Sequence, residues 1–428
     1  MIPHFFRFPG YDTSDIRTSI KDKTCTIYLE RRSDKAFNCY RCGCFLQRNR
    51  GRYPVRLEHL SIMGFKTYLH FWREKGECAN CKKARAEHVE FIARETPHMT
   101  QDYAWWIGRM CEFAAVSRVA EFLDLDNMTV RRVDLARMQR MLQHYKIPEV
   151  THISVDEVYA RNKGAKGESR DDRFFTVITD LKTRRVIWVA ESRSKRGLDE
   201  FFRLIGPGAC KKIVVVAMDQ HDPYKASVKE HCPKAKVVWD RFHLVQSFNE
   251  AFNEDRKQLH EASRGDSISW QLTRSRFKYL FLKREKKRSE SERQHIQQAM
   301  KANEWLLQME LIKERFLSFF DEQDVDAAWD IFDELGDWIS ECAGPHLKRW
   351  YKNLEAGWDT LANYFSFKVT SAVSEGINNV IKSLKRRAFG YRNMNYFRLK
   401  IMQVCGYLNS QYIRNVSDLN SNLRLSQI

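Results

Sequence analysis

The chain is 428 residues long, enough for several domains, and its Lys and Arg outnumber its Asp and Glu by 73 to 55, a net charge of +18. That excess points to a polyanionic partner, nucleic acid before an anionic membrane surface. A hydrophobic share of 43% excludes a disordered chain, no long uncharged apolar run marks a membrane span, and eleven cysteines are too few for a disulfide scaffold of this size.

The opening residues, Met1-Ile-Pro-His-Phe-Phe-Arg-Phe8, lack the charged-then-apolar order of a signal peptide. Cys39-Tyr-Arg-Cys42 and Cys78-Ala-Asn-Cys81 then form two Cys-x-x-Cys pairs, a pattern suited to a reducing compartment and a metal. Each pair fits a knuckle turn that binds one metal from one side, and two knuckles complete a tetrahedral zinc site. The segment between them, with Val55-Arg-Leu57 and Lys66-Thr-Tyr-Leu-His-Phe71, alternates like a β-ribbon. Residues 1–95 therefore read as a zinc ribbon holding one structural Zn²⁺. The plainer alternative is reduced cysteines that happen to pair. Cys44 is the nearest competing ligand, and Cys25, Cys111, Cys210, Cys232, Cys342 and Cys405 are expected to be simply buried.

Residues 96–148 read as helical, with Trp105, Trp106, Met110 and Phe113 spaced to form one apolar face. Within them, a short helix over Ser117–Leu123, a tight turn at Asp124 and a second helix exposing Thr129, Arg131 and Arg132 make a helix-turn-helix pattern. Such a second helix brings Arg to phosphates or guanine edges; the alternative is an αα-hairpin with no DNA contact. Pro148 ends the section.

Residues 149–244 carry the clearest succession. Thr151–Tyr159 is a β-branched strand with Asp156 and Glu157 at its centre, where another apolar residue would be cheaper. A polar loop from Arg161 to Arg173 leads to a hairpin, Phe174–Leu181 and Arg185–Glu191. A helix over Leu198–Ile205 stops at Gly206-Pro-Gly. Lys211–Asp219 is a continuous apolar run of the buried parallel kind, ending in an acid. A helix begins at Pro223, and Ala235–Leu244 reads as a fifth strand. Three strands, helix, strand, helix and strand is the order of a ribonuclease H-like fold, in which the first and fourth strands are neighbours. Asp156 and Asp219 would then repel one another without a divalent cation between them.

From 245 to 365 the chain turns to long amphipathic helices, with core stripes such as Trp305-Leu306-Met309-Ile312-Phe316-Phe320 and Trp329-Phe332-Leu335-Trp338. Arg274–Arg288 is densely basic and could track a DNA backbone, although such runs are usually solvated faces. A further helix, Ser374–Ala388, ends at Gly390. Ile377, Val380, Ile381 and Leu384 give its buried face, and Glu375, Asn378, Asn379, Lys382 and Arg386 share a polar one. The tail, 416–428, is expected to be disordered.

Together the two cysteine pairs, the helix-turn-helix, Val155-Asp156-Glu157, Met218-Asp219, Asp240-Arg-Phe-His243, the helical insertion and the block from Ser374-Glu375-Gly-Ile-Asn-Asn379 to Lys385-Arg-Arg-Ala-Phe-Gly-Tyr-Arg392 resemble DDE transposases of the ISL-three insertion-sequence family. The resemblance implies a multidomain α+β protein: zinc ribbon (1–95), helix-turn-helix (96–148), ribonuclease H-like core (149–244 and 366–415) and an all-helical insertion (245–365). It implies a metal-binding triad of Asp156, Asp219 and Glu375, holding two Mg²⁺ or Mn²⁺ ions, with Asp240 and His243 in support. Asn379, Lys382, Lys385 and Arg386 would join Thr129, Arg131 and Arg132 in holding DNA. The implied partners are terminal inverted repeats, target DNA and a second copy of the chain, in a bacterial cytoplasm at the nucleoid. Competing readings are a DNA-binding regulator with an inactive core, and a metal-dependent nuclease without strand transfer.

Overall fold

The computed structural model describes residues 8–160, 169–265, 270, 278–369 and 372–409. The chain forms two compact units, residues 1–146 with 385–428, and residues 147–384.

The first unit holds β1 (Tyr11–Ser19), β2 (Thr24–Arg31), β3 (Leu46–Ile62), β4 (Phe65–Cys78) and β5 (Lys83–Ala86), ordered β1-β2-β4-β3 with β5 on β4. The expected alternation is present: Thr67, Leu69 and Phe71 of β4 are buried, while Trp72 is exposed. Leu69 meets Ile27, Leu57 and Phe91 in the core. Met63 and Gly64, both at positive φ (50° and 80°), close the β3–β4 turn, the backbone that the tightest hairpins require. β1 was not foreseen, because its outward residues run together and only Tyr11 is buried.

Three helices follow: α1 (Gln101–Phe113), α2 (Val116–Leu123) and α3 (Asn127–Gln143). α2 ends on Asp124 in the left-handed region (φ 53°), and Asp126 caps α3 by accepting from Thr129 N at 2.9 Å. The inward face of α1 is not the predicted one. Tyr103, Ala104, Ile107 and Cys111 are buried, while Phe113 is 77% exposed. Small residues on that stripe let α3 approach closely; a Cβ on Gly108 would lie 2.4 Å from Arg137 Cδ. The last helix, α14 (Met394–Val404), belongs to this unit. Buried Asp134 of α3 accepts from Tyr396 Oη at 2.5 Å and pairs with Lys400 at 2.8 Å.

The second unit begins with β6 (His152–Tyr159), β7 (Phe174–Asp180), β8 (Arg185–Ala190), α4 (Lys195–Cys210), β9 (Val215–Met218), α5 (Asp222–His231) and β10 (Lys236–Trp239). The sheet order is β10-β9-β6-β7-β8. β9 runs parallel to both β6 and β10, and β7 is antiparallel to β6 and to β8. Two boundaries differ from expectation. The helix expected to stop at Gly206 breaks there (φ 79°) and resumes through Pro207 to Cys210. The fifth strand ends at Trp239, not Leu244. Asp240 accepts from Phe242 N at 2.9 Å and caps α6 (Arg241–Ala262), whose Leu244, Phe248 and Phe252 are buried at helical spacing.

α6 opens the helical section, which continues through α7 (Lys278–Leu282), α8 (Glu290–Ala302), α9 (Glu304–Phe319), α10 (Val325–Cys342), α11 (Pro345–Glu355) and α12 (Trp358–Phe367) to α13 (Ala372–Arg387). Its core is continuous with the sheet: Val238 and Trp239 pack in one cluster with Leu244, Phe316, Leu347 and Leu361. α12 returns to β10, where Asn363 Nδ2 donates to Val237 O at 2.9 Å. In the described end of the basic run, Lys286 and Lys287 are exposed, while three other cations are paired. Arg288 is buried on Glu310, Lys283 pairs with Glu292 and Arg284 with Asp321. Residues 271–277 of that run, most of the 161–173 loop and the tail lie outside the described residues. Cys25, Cys111, Cys210, Cys232 and Cys405 are buried as expected, whereas Cys342 is only half-buried. Among the described residues, no helix is long and apolar enough to cross a membrane.

Candidate active site and metal centre

β6 and β9 are hydrogen-bonded neighbours in register, with Val155 opposite Met218. The next residue on each is an acid, Asp156 and Asp219, so strand spacing of about 4.8 Å sets two carboxylates side by side. A third acid, Asp240, follows β10: its N–H donates to Met218 O at 3.0 Å, tying the start of α6 to the end of β9. One turn later, His243 lies among all three. Its Nε2 is 3.8 Å from Asp156 Oδ1 and 3.9 Å from Asp240 Oδ2, and its Nδ1 is 3.8 Å from Asp219 Oδ2. The four line one cavity with Ser154, Trp239, Val369 and Ser374.

Burial alone would push the His243 imidazolium down, but the nearby carboxylates of Asp156, Asp219 and Asp240 outweigh it and push the value up to about 9. At neutral pH the cluster therefore holds a positive charge and still carries a surplus of carboxylate. Hard oxygen donors with excess negative charge are the chemistry of a Mg²⁺ or Mn²⁺ site, and the residues present fit one. Glu157 faces elsewhere, as strand alternation requires. Its Oε1 accepts from Arg193 Nη1 at 2.8 Å.

α13 meets β6 through two bonds. Ser374 Oγ lies 3.0 Å from Ser154 Oγ, and Asn378 Nδ2 donates to Asp156 Oδ2 at 2.7 Å. Glu375 is exposed on the same helix, one turn before Asn378. Asn379, Lys382 and Arg386 are exposed too, while Lys385 is half-buried, its ammonium pushed down by burial. Sequence reasoning placed Asn378 on the polar face but missed its contact with Asp156. The signal was there in the spacing: Ser374 and Asn378 are four apart on a helix, and Ser154 and Asp156 are two apart on a strand.

In the first unit, the Sγ atoms of Cys39, Cys42, Cys78 and Cys81 lie within 4.8 Å of one another. Cys42 to Cys78 is 3.4 Å, Cys42 to Cys81 is 3.6 Å and Cys39 to Cys81 is 4.0 Å. A tetrahedron with zinc–sulfur bonds of about 2.3 Å has edges of roughly 3.8 Å, so the quartet fits zinc. Knuckle geometry accompanies it. Arg41 N donates to Cys39 Sγ and Cys81 N to Cys78 Sγ, each at 3.4 Å, and Gly43 turns the chain at φ 74°. Cys44, the competing ligand, is exposed outside the quartet. The Cys42 thiol is pushed down to about 6 by the Cys44 backbone N–H and then by Cys78. Of the recognition-helix candidates, Arg131 and Arg132 are exposed, and Thr129 is half-buried.

Comparison with known proteins gives a consistent result. The ISL3 DDE family model, described as "Transposase", matches residues 153–401. The transposase for insertion sequence element IS1001 of Bordetella parapertussis is 26% identical over 396 residues, 89% of this chain and 91% of that one. The transposase for insertion sequence element IS1557 of Mycobacterium tuberculosis is 28% identical over 119 residues, 28% of this chain and 25% of its own length.

Proposed function

The chain belongs to the ISL-three family of transposases, and from that premise we propose that it binds the terminal inverted repeats of an insertion sequence and cuts and joins DNA at a DDE triad of Asp156, Asp219 and Glu375. The observation that carries this reading is the pair of carboxylates at matched ends of adjacent parallel strands, with His243 between them. The sheet order, with the first strand central between the hairpin and two parallel strands, is that of a ribonuclease H-like core.

Asp156, Asp219 and Glu375 would hold two divalent cations, which would supply Lewis-acid activation of the attacking water or DNA 3′-hydroxyl and charge stabilisation at the leaving oxygen. The chain's own residues prepare for this. Asp156 and Asp219 would supply hard oxygen ligands from rigid strand ends, and Glu375 of α13 would complete the set. Asp240 and His243 stabilise the ligand geometry by charge. Lys382, Lys385, Arg386 and Asn379, on α13, hold the phosphates that flank the reacting bond. The zinc ribbon, on Cys39, Cys42, Cys78 and Cys81, and the helix-turn-helix, through Thr129, Arg131 and Arg132, select the element's ends. Two ends need two active sites, so the working form is a homodimer on DNA, acting at the bacterial nucleoid in the cytoplasm.

The test uses full-length protein, Mg²⁺ and DNA carrying the element's ends. Wild type cleaves at the ends, and Asp156→Ala abolishes cleavage while leaving end binding intact. Cleavage that survives the substitution removes Asp156 from the triad. End binding without cleavage by the wild-type protein would instead favour the regulator.

A further inference from the structure

Ser374 and Asn378 bond Ser154 and Asp156, pairing two successive positions on one face of a strand with two positions one turn apart on a helix. The spacings match. Four helical residues advance about 6.0 Å, and two strand residues about 6.6 Å. Both bonds therefore form together only when α13 runs alongside β6 in the same direction and in this one register; a helix shifted by one residue turns both side chains about 100° away. The upper bond ends on Asp156 itself. Its Oδ2 accepts from Asn378 at 2.7 Å and its Oδ1 from the Glu157 N–H at 2.7 Å. With one bond on each oxygen, the carboxylate has a fixed plane and still has a free lone pair on each.

We propose that Asn378 is a positioning residue for the metal centre: it fixes the plane of the Asp156 carboxylate and, with Ser374, sets the register in which α13 delivers Glu375. The inference rests on the reading of Asp156 as a metal ligand. Asn suits the role better than an acid or a cation. Its amide donates without adding a charge that would oppose a divalent ion or replace it. Glu375 lies three residues earlier, about 60° round the helix, so the clamp on Asn378 also fixes where Glu375 stands relative to Asp156.

The experiment is Mn²⁺ binding to the full chain by calorimetry, without DNA, alongside end cleavage as a function of Mn²⁺ concentration. Asn378→Ala is expected to weaken Mn²⁺ binding by roughly 10–100-fold, the usual effect of removing a group that orients a ligand. Cleavage should recover as Mn²⁺ is raised, with end binding unchanged. Ser383→Ala, exposed on the same helix, should bind Mn²⁺ as wild type does. Unaltered Mn²⁺ affinity in Asn378→Ala overturns the proposal. If that variant does not fold, Asn378→Ser answers the same question, because its hydroxyl is too short to reach Asp156. Asp156→Ala separates the two ideas: if it also binds Mn²⁺ normally, the metal-site reading fails, whereas if only the Asn378 variants bind normally, the positioning role alone fails.

Discussion

Glu87 shows how a single buried charge is held in this protein. Its carboxylate is fully buried and accepts from Tyr11 Oη at 3.0 Å, Glu74 N at 3.1 Å, Arg31 Nε at 3.1 Å and Lys35 Nζ at 2.6 Å. Burial raises its pKa, yet Lys35, the Glu74 N–H and Arg31 together hold the group below the usual 4.5. A depressed value in the fold means that the stabilisation is fully present above that range and is lost as pH falls through the folded value. Glu87→Gln leaves Lys35 and Arg31 without their anion and should cost on the order of 3 kcal/mol in urea unfolding at pH 7. The gap to wild type should narrow steadily below about pH 4.5. A gap that does not change with pH would assign the cost to packing. No local pattern marks this cluster, since its members come from four separate segments. Asp156, by contrast, was legible: an acid inside a β-branched strand has few reasons to be there. The contact made by Asn378 was legible only as a matched spacing, because its partner is 222 residues away in the sequence.

Elements were legible where one periodicity was unopposed. The apolar run leading to Asp219 became a central parallel strand, and the cysteine pairs came together because Leu46 opposite Cys78 in the β3–β4 ladder aligns the two knuckles. Removing Cys39 and Cys42 as Ser should cost one zinc per chain by atomic absorption and loosen the ribbon; undiminished zinc would move the metal elsewhere. The run Ala235–Leu244 was misread because Val237, Trp239 and Phe242 prolong an apolar pattern across the boundary, while the true punctuation is the capping carboxylate of Asp240. That boundary has a packing counterpart in Gly357, whose Cβ would lie 1.8 Å from Trp239 Cη2. Gly357→Ala should force the indole aside at a cost of roughly 1–3 kcal/mol and lower end cleavage, because Trp239 adjoins Asp240 in the cavity. A variant with unchanged melting and cleavage would show that the indole relocates freely.

At the scale of the molecule, the helical section from α6 to α12 contributes to the stability of the sheet that it joins. It shares one core with β9 and β10, and α12 covers the β10 edge through Asn363. Its long aromatic stripes announced a helical bundle, but nothing in them told where the bundle would rejoin the sheet. The bond between Asn378 and Asp156 joins residues 222 positions apart. At roughly 5–20 residues per second, a ribosome takes on the order of 10–45 s to travel from one to the other. During that interval a growing chain already displays Asp156 without the Asn378 amide that bonds it. Under the proposed mechanism, a chain that stops before α13 carries Asp156 and Asp219 but not Glu375, and should fail to cut DNA.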